Sequence, residues 1–198
     1  MKKMMMLATM VAAVMAFALP ATSSAAWNDE GTAITSTKTV QLTGSASHSG
    51  GVECPNALTD LTLDPGSTGK IDTFTIEETD KCKVIGSLAA LGCNKLTSHI
   101  STNLPWSIST NGSVILITKI DLDLTYVGSG LCVSGVGTTL SNKLDGSGKE
   151  IPLVATPNST TTVSSVKLSG ELKSSTGTNV TTSGTLSVLS PNTGTYGI

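Results

Sequence analysis

Four cysteines and two histidines are the first residues in this chain whose types and spacing could do chemistry. Cys54, Cys82, Cys93 and Cys132 are irregularly spaced, with no C-x-x-C pair. A structural zinc site needs closely spaced Cys and His ligands, and His48 and His99 are too few and too far apart to complete one. An even count in an exported chain reads instead as two disulfides, with three possible pairings. Cys54–Cys82 with Cys93–Cys132 is the favoured one, each bond closing a loop and restricting the unfolded chain by a few kcal/mol.

Nucleophilic catalysis has little to stand on. No G-x-S-x-G elbow exists among the many serines, and an all-β chain lacks its strand-turn-helix setting. His48, in the run Ser45 to Gly51, reads as an exposed residue of a flexible polar loop. His99, after a strand-like stretch near Leu96, reads as an ordinary surface or partly packed residue. Paired carboxylates for glycoside hydrolysis could come from Asp60, Asp64, Asp72, Glu77, Glu78, Asp80, Asp121 or Asp123. Asp121 and Asp123 share a strand face at a spacing of roughly 7 Å and are read as its solvated side. Glu77 to Asp80 is an acidic turn beside Cys82 rather than a calcium loop, since no D-x-[DN]-x-[DN]-G pattern appears. No catalytic, cofactor or metal site is expected.

Aromatic residues are scarce: beyond the apolar N-terminal run they are Trp27, Phe74, Trp106, Tyr126 and Tyr196. Trp106 and Tyr126 are the candidate ligand contacts, and a sugar-binding reading requires one of those rings to be exposed with polar groups nearby. The competing reading makes Trp106 a core anchor beside a disulfide. Trp27 is expected as a disordered terminus. Asn111-Gly112-Ser113, Asn158-Ser159-Thr160 and Asn179-Val180-Thr181 fit the N-glycosylation pattern, which arises readily by chance in so Asn/Ser/Thr-rich a chain.

The N-terminal segment has the three parts of a cleavable secretory leader. Lys2 and Lys3 precede an uncharged run from Met4 to Leu19, Pro20 breaks it, and small residues follow to Ala26. The run is short of the roughly 20 residues that span a bilayer, so cleavage after Ala25 or Ala26 is expected rather than an anchor. The chain then divides into a leader, residues 1–26, and one domain, residues 27–198. Its place of action is secreted, periplasmic or extracellular, with no integral membrane anchor.

That domain is rich in Thr, Ser, Gly, Leu and Val and contains no Arg. The whole chain carries a formal charge of −2, and loss of the leader lysines makes it more acidic. Nucleic acid is therefore a poor partner, because duplex binding needs a cationic face. An unknown protein or glycan is the expected partner, and no cofactor is implied.

Positioning these residues falls to strands. Ile120, Leu122, Leu124 and Tyr126 alternate with Lys119, Asp121, Asp123 and Thr125, and Val166, Leu168 and Leu172 repeat the pattern, which marks half-buried strands. Asn111-Gly112 predicts a two-residue type I′ hairpin between Trp106–Thr110 and Ser113–Thr118. Further turns are expected at Asp64-Pro65-Gly66, Gly128 to Gly130, Asp145-Gly146 and Pro191 to Gly194. A short helical turn around Leu88 to Leu91 is flanked by Gly86 and Gly92. The echo between Thr39–Gly44 and Ser165–Gly170 is either chance similarity or two equivalent strands at related edges, each ended by a glycine turn.

Many short strands between such turns predict an all-β, single-domain antiparallel β-sandwich of Ig-like or Greek-key type with two disulfides. The function expected is a non-catalytic structural or interaction role in the cell envelope or extracellular space. The alternative is a carbohydrate-binding or adhesin/pilin-like module, for which Ile34 to Leu42 would be the donated strand.

Overall fold

The computed structural model describes residues 25–189 and 196–198. Residues 1–24 of the expected leader, and the Pro191–Gly194 turn, lie outside the described residues. Strand makes up 60% and helix 7% of the structure, as the period-two patterning requires. In chain order the elements are β1 (Asn28–Asp29), β2 (Thr32–Ala33), β3 (Lys38–His48), β4 (Val52–Leu63), β5 (Thr68–Ile76), β6 (Lys83–Val84) and α1 (Gly86–Ala90). They continue with β7 (Cys93–Ser101), β8 (Trp106–Thr110), β9 (Ile115–Thr118), β10 (Asp121–Gly128), β11 (Val136–Asn142), β12 (Leu153–Pro157), β13 (Ser165–Ser174), β14 (Asn179–Val188) and β15 (Tyr196–Gly197).

The expected sandwich is corrected to a barrel. Strands β3, β4, β5, β8, β9, β12, β13 and β14 pair antiparallel in that order, and β14 returns to β3, closing an eight-stranded sheet. Closure follows from long strands that coil: β3 and β4 run 11 and 12 residues and shift register between Gly44 and Ala46 and between Asp60 and Leu61. Such bulges bend a strand and raise its twist. Alternation then sends Val40, Leu42, Leu61, Ile71, Ile108, Ile117, Leu168 and Leu186 inward. The interior is filled, as it is in small barrels: the void it leaves is about 50 Å³.

Beyond the barrel, β13 changes partner. Its Val166–Ser169 segment pairs with β12, while Leu172–Ser174 pairs with β11. Gly170 lies at the branch with φ +151°, and a Cβ there would stand 2.9 Å from the Leu153 side chain. From β11 the sheet continues through β10 to β7. The far side of β7 comes back against β5, where the Phe74 and His99 rings lie 5.4 Å apart and the Ser101 hydroxyl donates to the Phe74 carbonyl. One end of the molecule is thus completed by β8, β9 and β12, the other by β7, β10 and β11.

Several local expectations hold and others change. Ile120, Leu122, Leu124 and Tyr126 are all buried, and the short helical turn forms as α1. The hairpin at Asn111 forms, but its loop is four residues long: Thr110 pairs with Ile115, and only Gly112 takes positive φ. The Asn111 carboxamide accepts from the backbone N–H groups of Ser113 and Val114, an Asx turn that stands in for the type I′ turn. The echoing segments are not edges. Both belong to strands flanking β14, one on each side, and both glycines lie within strands. The proposed donor segment Ile34 to Leu42 is likewise built into the barrel from Lys38 onward, paired with β4 and, at Leu42, with β14.

Trp27 is a correction as well. It is 2% exposed and closes one end of the barrel, its backbone N–H donating to Gly66 and its indole N–H to the Thr68 carbonyl at 2.6 Å. The small β2–β1–β15 sheet carries it, with Tyr196 packed beside it. Trp27→Ala is expected to cost about 3–5 kcal/mol, the usual range for a buried aromatic, measured by urea unfolding. A loss under about 1 kcal/mol would show that the indole does not hold that end shut.

Both disulfides form in the favoured pairing. Cys54–Cys82 ties β4 to the turn before β6, and Cys93–Cys132 ties the start of β7 to the turn after β10. Among the described residues no helix is long and apolar enough to cross a membrane.

Candidate functional site

The β3–β4 and β13–β14 hairpin turns lie at the end of the barrel opposite Trp27. A cleft of about 480 Å³ opens there, inside the 300–1,000 Å³ range of small-ligand sites. Three elements bound it. The turn Ser49–Gly51 and α1 form one wall, the Thr176–Thr178 turn a second, and the start of β11 the third. Two other depressions, of about 480 and 470 Å³, lie on the outer barrel face beside Lys81 and Lys83 and beside Lys167.

The first cleft differs in its floor. Tyr126 is 1% exposed because its ring continues the inward phase of β10, yet it lines the cleft. Among the described residues its hydroxyl has no hydrogen-bond partner, and burial raises its pKa. His48 is 4% exposed and lines both the cleft and the barrel interior. Its Nδ1 pairs with the buried Thr182 hydroxyl at 3.1 Å, and Nε2 has no partner among the described residues. Burial, with a smaller contribution from His99, pushes its pKa down to about 4, so the ring is neutral at pH 7. Unlike the ring nitrogens of His99, both atoms reach solvent, and both side chains border one open concavity.

The β11 wall adds backbone groups. β11 pairs with β13 only from Leu140 to Asn142, while Thr139 exchanges bonds with Ser175. By strand alternation the N–H and C=O of Gly137 face the same open side. Leu88, Val136, Leu140 and Val180 supply apolar surface, and the lining contains no Lys, Asp or Glu.

The α1 wall is held by glycine against glycine. Gly86 has φ +62°, and a Cβ on it would lie 2.5 Å from the Gly50 Cα. The Leu88 N–H and the Ser87 hydroxyl both bond to the Gly50 carbonyl. Gly86→Ala combines strain with a backbone clash and is expected to cost about 2 kcal/mol or more. Amide exchange at Leu88 should accelerate with it; unchanged protection there would show that α1 docks by other means.

Chemically, the floor can exchange hydrogen bonds with a neutral ligand. A histidine held near pKa 4 is poorly tuned for proton transfer at neutral pH, and its one polar partner is a threonine hydroxyl. No group of three or more metal-ligating side chains occurs among the described residues. Glu78 instead pairs with Lys81 at 2.7 Å and with Asn56. Asp121 and Asp123 are partly buried and hydrogen-bonded to Asn103 and Thr139 rather than freely solvated.

The two candidate ligand contacts separate. Trp106 is 3% exposed, packed 5.7 Å from Phe74, with its indole N–H donating to the Thr102 carbonyl. It is a core residue. The Tyr126 ring is also buried, so neither ring offers the exposed platform that stacking on a sugar requires. Within the site, His48 is misplaced by the sequence reading: it is the last inward position of β3, not part of a loop. Its signal was the inward phase Val40, Leu42, Ala46, which reaches His48 in step.

No family model, curated protein or solved structure matches the chain.

Proposed function

We propose that the protein is a non-catalytic interaction protein of the cell envelope or extracellular space, which receives a small neutral ligand in the cleft over Tyr126 and His48. The observation that carries this reading is the pair of nearly buried side chains whose hydroxyl and Nε2 open on the cleft with no partner among the described residues. A ligand that supplied those partners would take over hydrogen bonds that water otherwise makes at the cleft floor. Export by the 1–26 leader suits a domain stapled by two disulfides, which persist in oxidising compartments. Sequencing the N-terminus of material isolated outside the cytoplasm should give a chain starting at Ala26 or Trp27; one starting at Met1 would overturn export.

The chain contains two tyrosines, at opposite ends of the barrel. In protein labelled with 3-fluorotyrosine, neutral hydroxylated compounds such as glycerol, glucose and monoacylglycerols should shift the Tyr126 fluorine signal and leave Tyr196 unmoved. No Tyr126 response to any of them, or equal responses at both residues, would remove the cleft reading.

A further inference from the structure

We infer that the ligand of this cleft is a neutral amphiphile, with a hydroxyl- or carbonyl-bearing head on the Tyr126 and His48 floor and an aliphatic chain over the adjoining rim; this rests on the cleft reading above. The rim is apolar. Leu91, which lines the cleft, is 40% exposed, and Leu131 and Val133 in the neighbouring turn are 76% and 72% exposed. Cys93–Cys132 ties these two segments together, and the Ser129 N–H donates to the Gly92 carbonyl at 2.8 Å beside it. Leu91 lines the cleft itself, and the backbone that carries Leu131 and Val133 is tied by the disulfide to the segment that follows Leu91.

Charge points the same way. No charged residue occurs from Ile85 to Asn94 or from Leu124 to Asn142, so the rim and much of the floor present no counter-ion. An ionised head would be desolvated against neutral groups, at a large cost. A bare sugar would satisfy the floor but leave the aliphatic rim in water, and there is no exposed ring on which to stack it. A head joined to a hydrocarbon chain fits both surfaces at once.

The test uses the full disulfide-bonded protein and follows the Tyr126 fluorine signal with 1-hexanoyl-, 1-octanoyl- and 1-decanoylglycerol below their micelle concentrations. Glycerol, glucose and decanoate are the comparison probes. Affinity should rise with chain length, by up to about fourfold for each methylene that leaves water. Leu131→Ser with Val133→Ser, both on the surface, should remove most of that dependence while leaving the response to glycerol in place. Tyr126→Phe, read by calorimetry, should weaken every acylglycerol. Glycerol or glucose binding as tightly as decanoylglycerol would overturn the amphiphile and leave the cleft reading standing. Decanoate binding as tightly would overturn the neutral head, and a rim double variant with an unchanged chain-length dependence would overturn the role of Leu131 and Val133. Silence from all six probes would overturn both readings together.

Discussion

Reducing both disulfides should lower the unfolding free energy by about 7 kcal/mol. The loops they close span 28 and 39 residues and do not overlap. The loop-entropy relation assigns about 3.5 kcal/mol to the first and slightly more to the second, and the absence of shared residues favours additivity. A domain of this size has about 5–15 kcal/mol in all, so the reduced chain should sit near its unfolding midpoint at room temperature. Urea unfolding with and without reductant measures the total, and Cys54→Ala/Cys82→Ala against Cys93→Ala/Cys132→Ala divides it. Only the second pair should loosen the cleft rim, seen as faster amide exchange at Gly92 and Ser129. A total loss under about 2 kcal/mol would mean that the barrel alone constrains both loops.

Acid should act through the interior. His48 and His99 are both pushed down to about 4 by burial, and both ring nitrogens of His99 are buried without partners among the described residues. Unfolded histidine takes its proton near 6.5, so between pH 6.5 and 4 the unfolded chain binds protons that the folded chain does not. Their stabilisation is fully present above 6.5 and falls away as the pH drops through that window, by about 3 kcal/mol for each ring at pH 4. Together the two account for about 6 kcal/mol. Asp145, held below the ordinary carboxylate range by Ser147 and the Lys149 backbone, titrates beneath the window. His99→Leu should flatten roughly half of the slope, and His99→Leu with His48→Gln nearly all of it. A stability curve level from pH 7 to 4.5 would show that protonated rings are accommodated in the fold.

The strand content, the inward phase of β10 and α1 were legible because each depends on local spacing; the disulfide pairing was favoured among three, across 28 and 39 residues. Barrel closure was not. It rests on β13 pairing with β12 along one half and β11 along the other, and no pattern within Ser165–Ser174 announces two partners. Asn142 illustrates the same limit. It is 5% exposed, donates to the carbonyls of Ile117 and Ile151, and accepts from the Ile120 N–H. Those partners lie 25, 9 and 22 residues away and converge only once the barrel exists. Trp27 was misread because nearness to an expected cleavage site suggests a loose end, whereas the end of the barrel supplies an apolar hole that an indole fills. For the candidate site, the period-two rule placed Tyr126 in the core, but a buried ring with its hydroxyl facing water is invisible to a rule about faces.

The β1–β15 ladder has a mechanical consequence. Asn28 pairs with Gly197 and Asp29 with Tyr196, antiparallel, so the two strands enter and leave on the same side. Tension applied between residues 27 and 198 would load these bonds one after another, as a zipper, rather than all at once in shear. Peeling them would draw Trp27 away from Gly66 and Thr68 before any barrel strand bears load. Pulling experiments should therefore show a small early extension at low force, followed by a stronger barrier for the barrel, whose β3–β4 and β13–β14 ladders are far longer. The same two strands that shut the barrel's end would thus act as its first mechanical release.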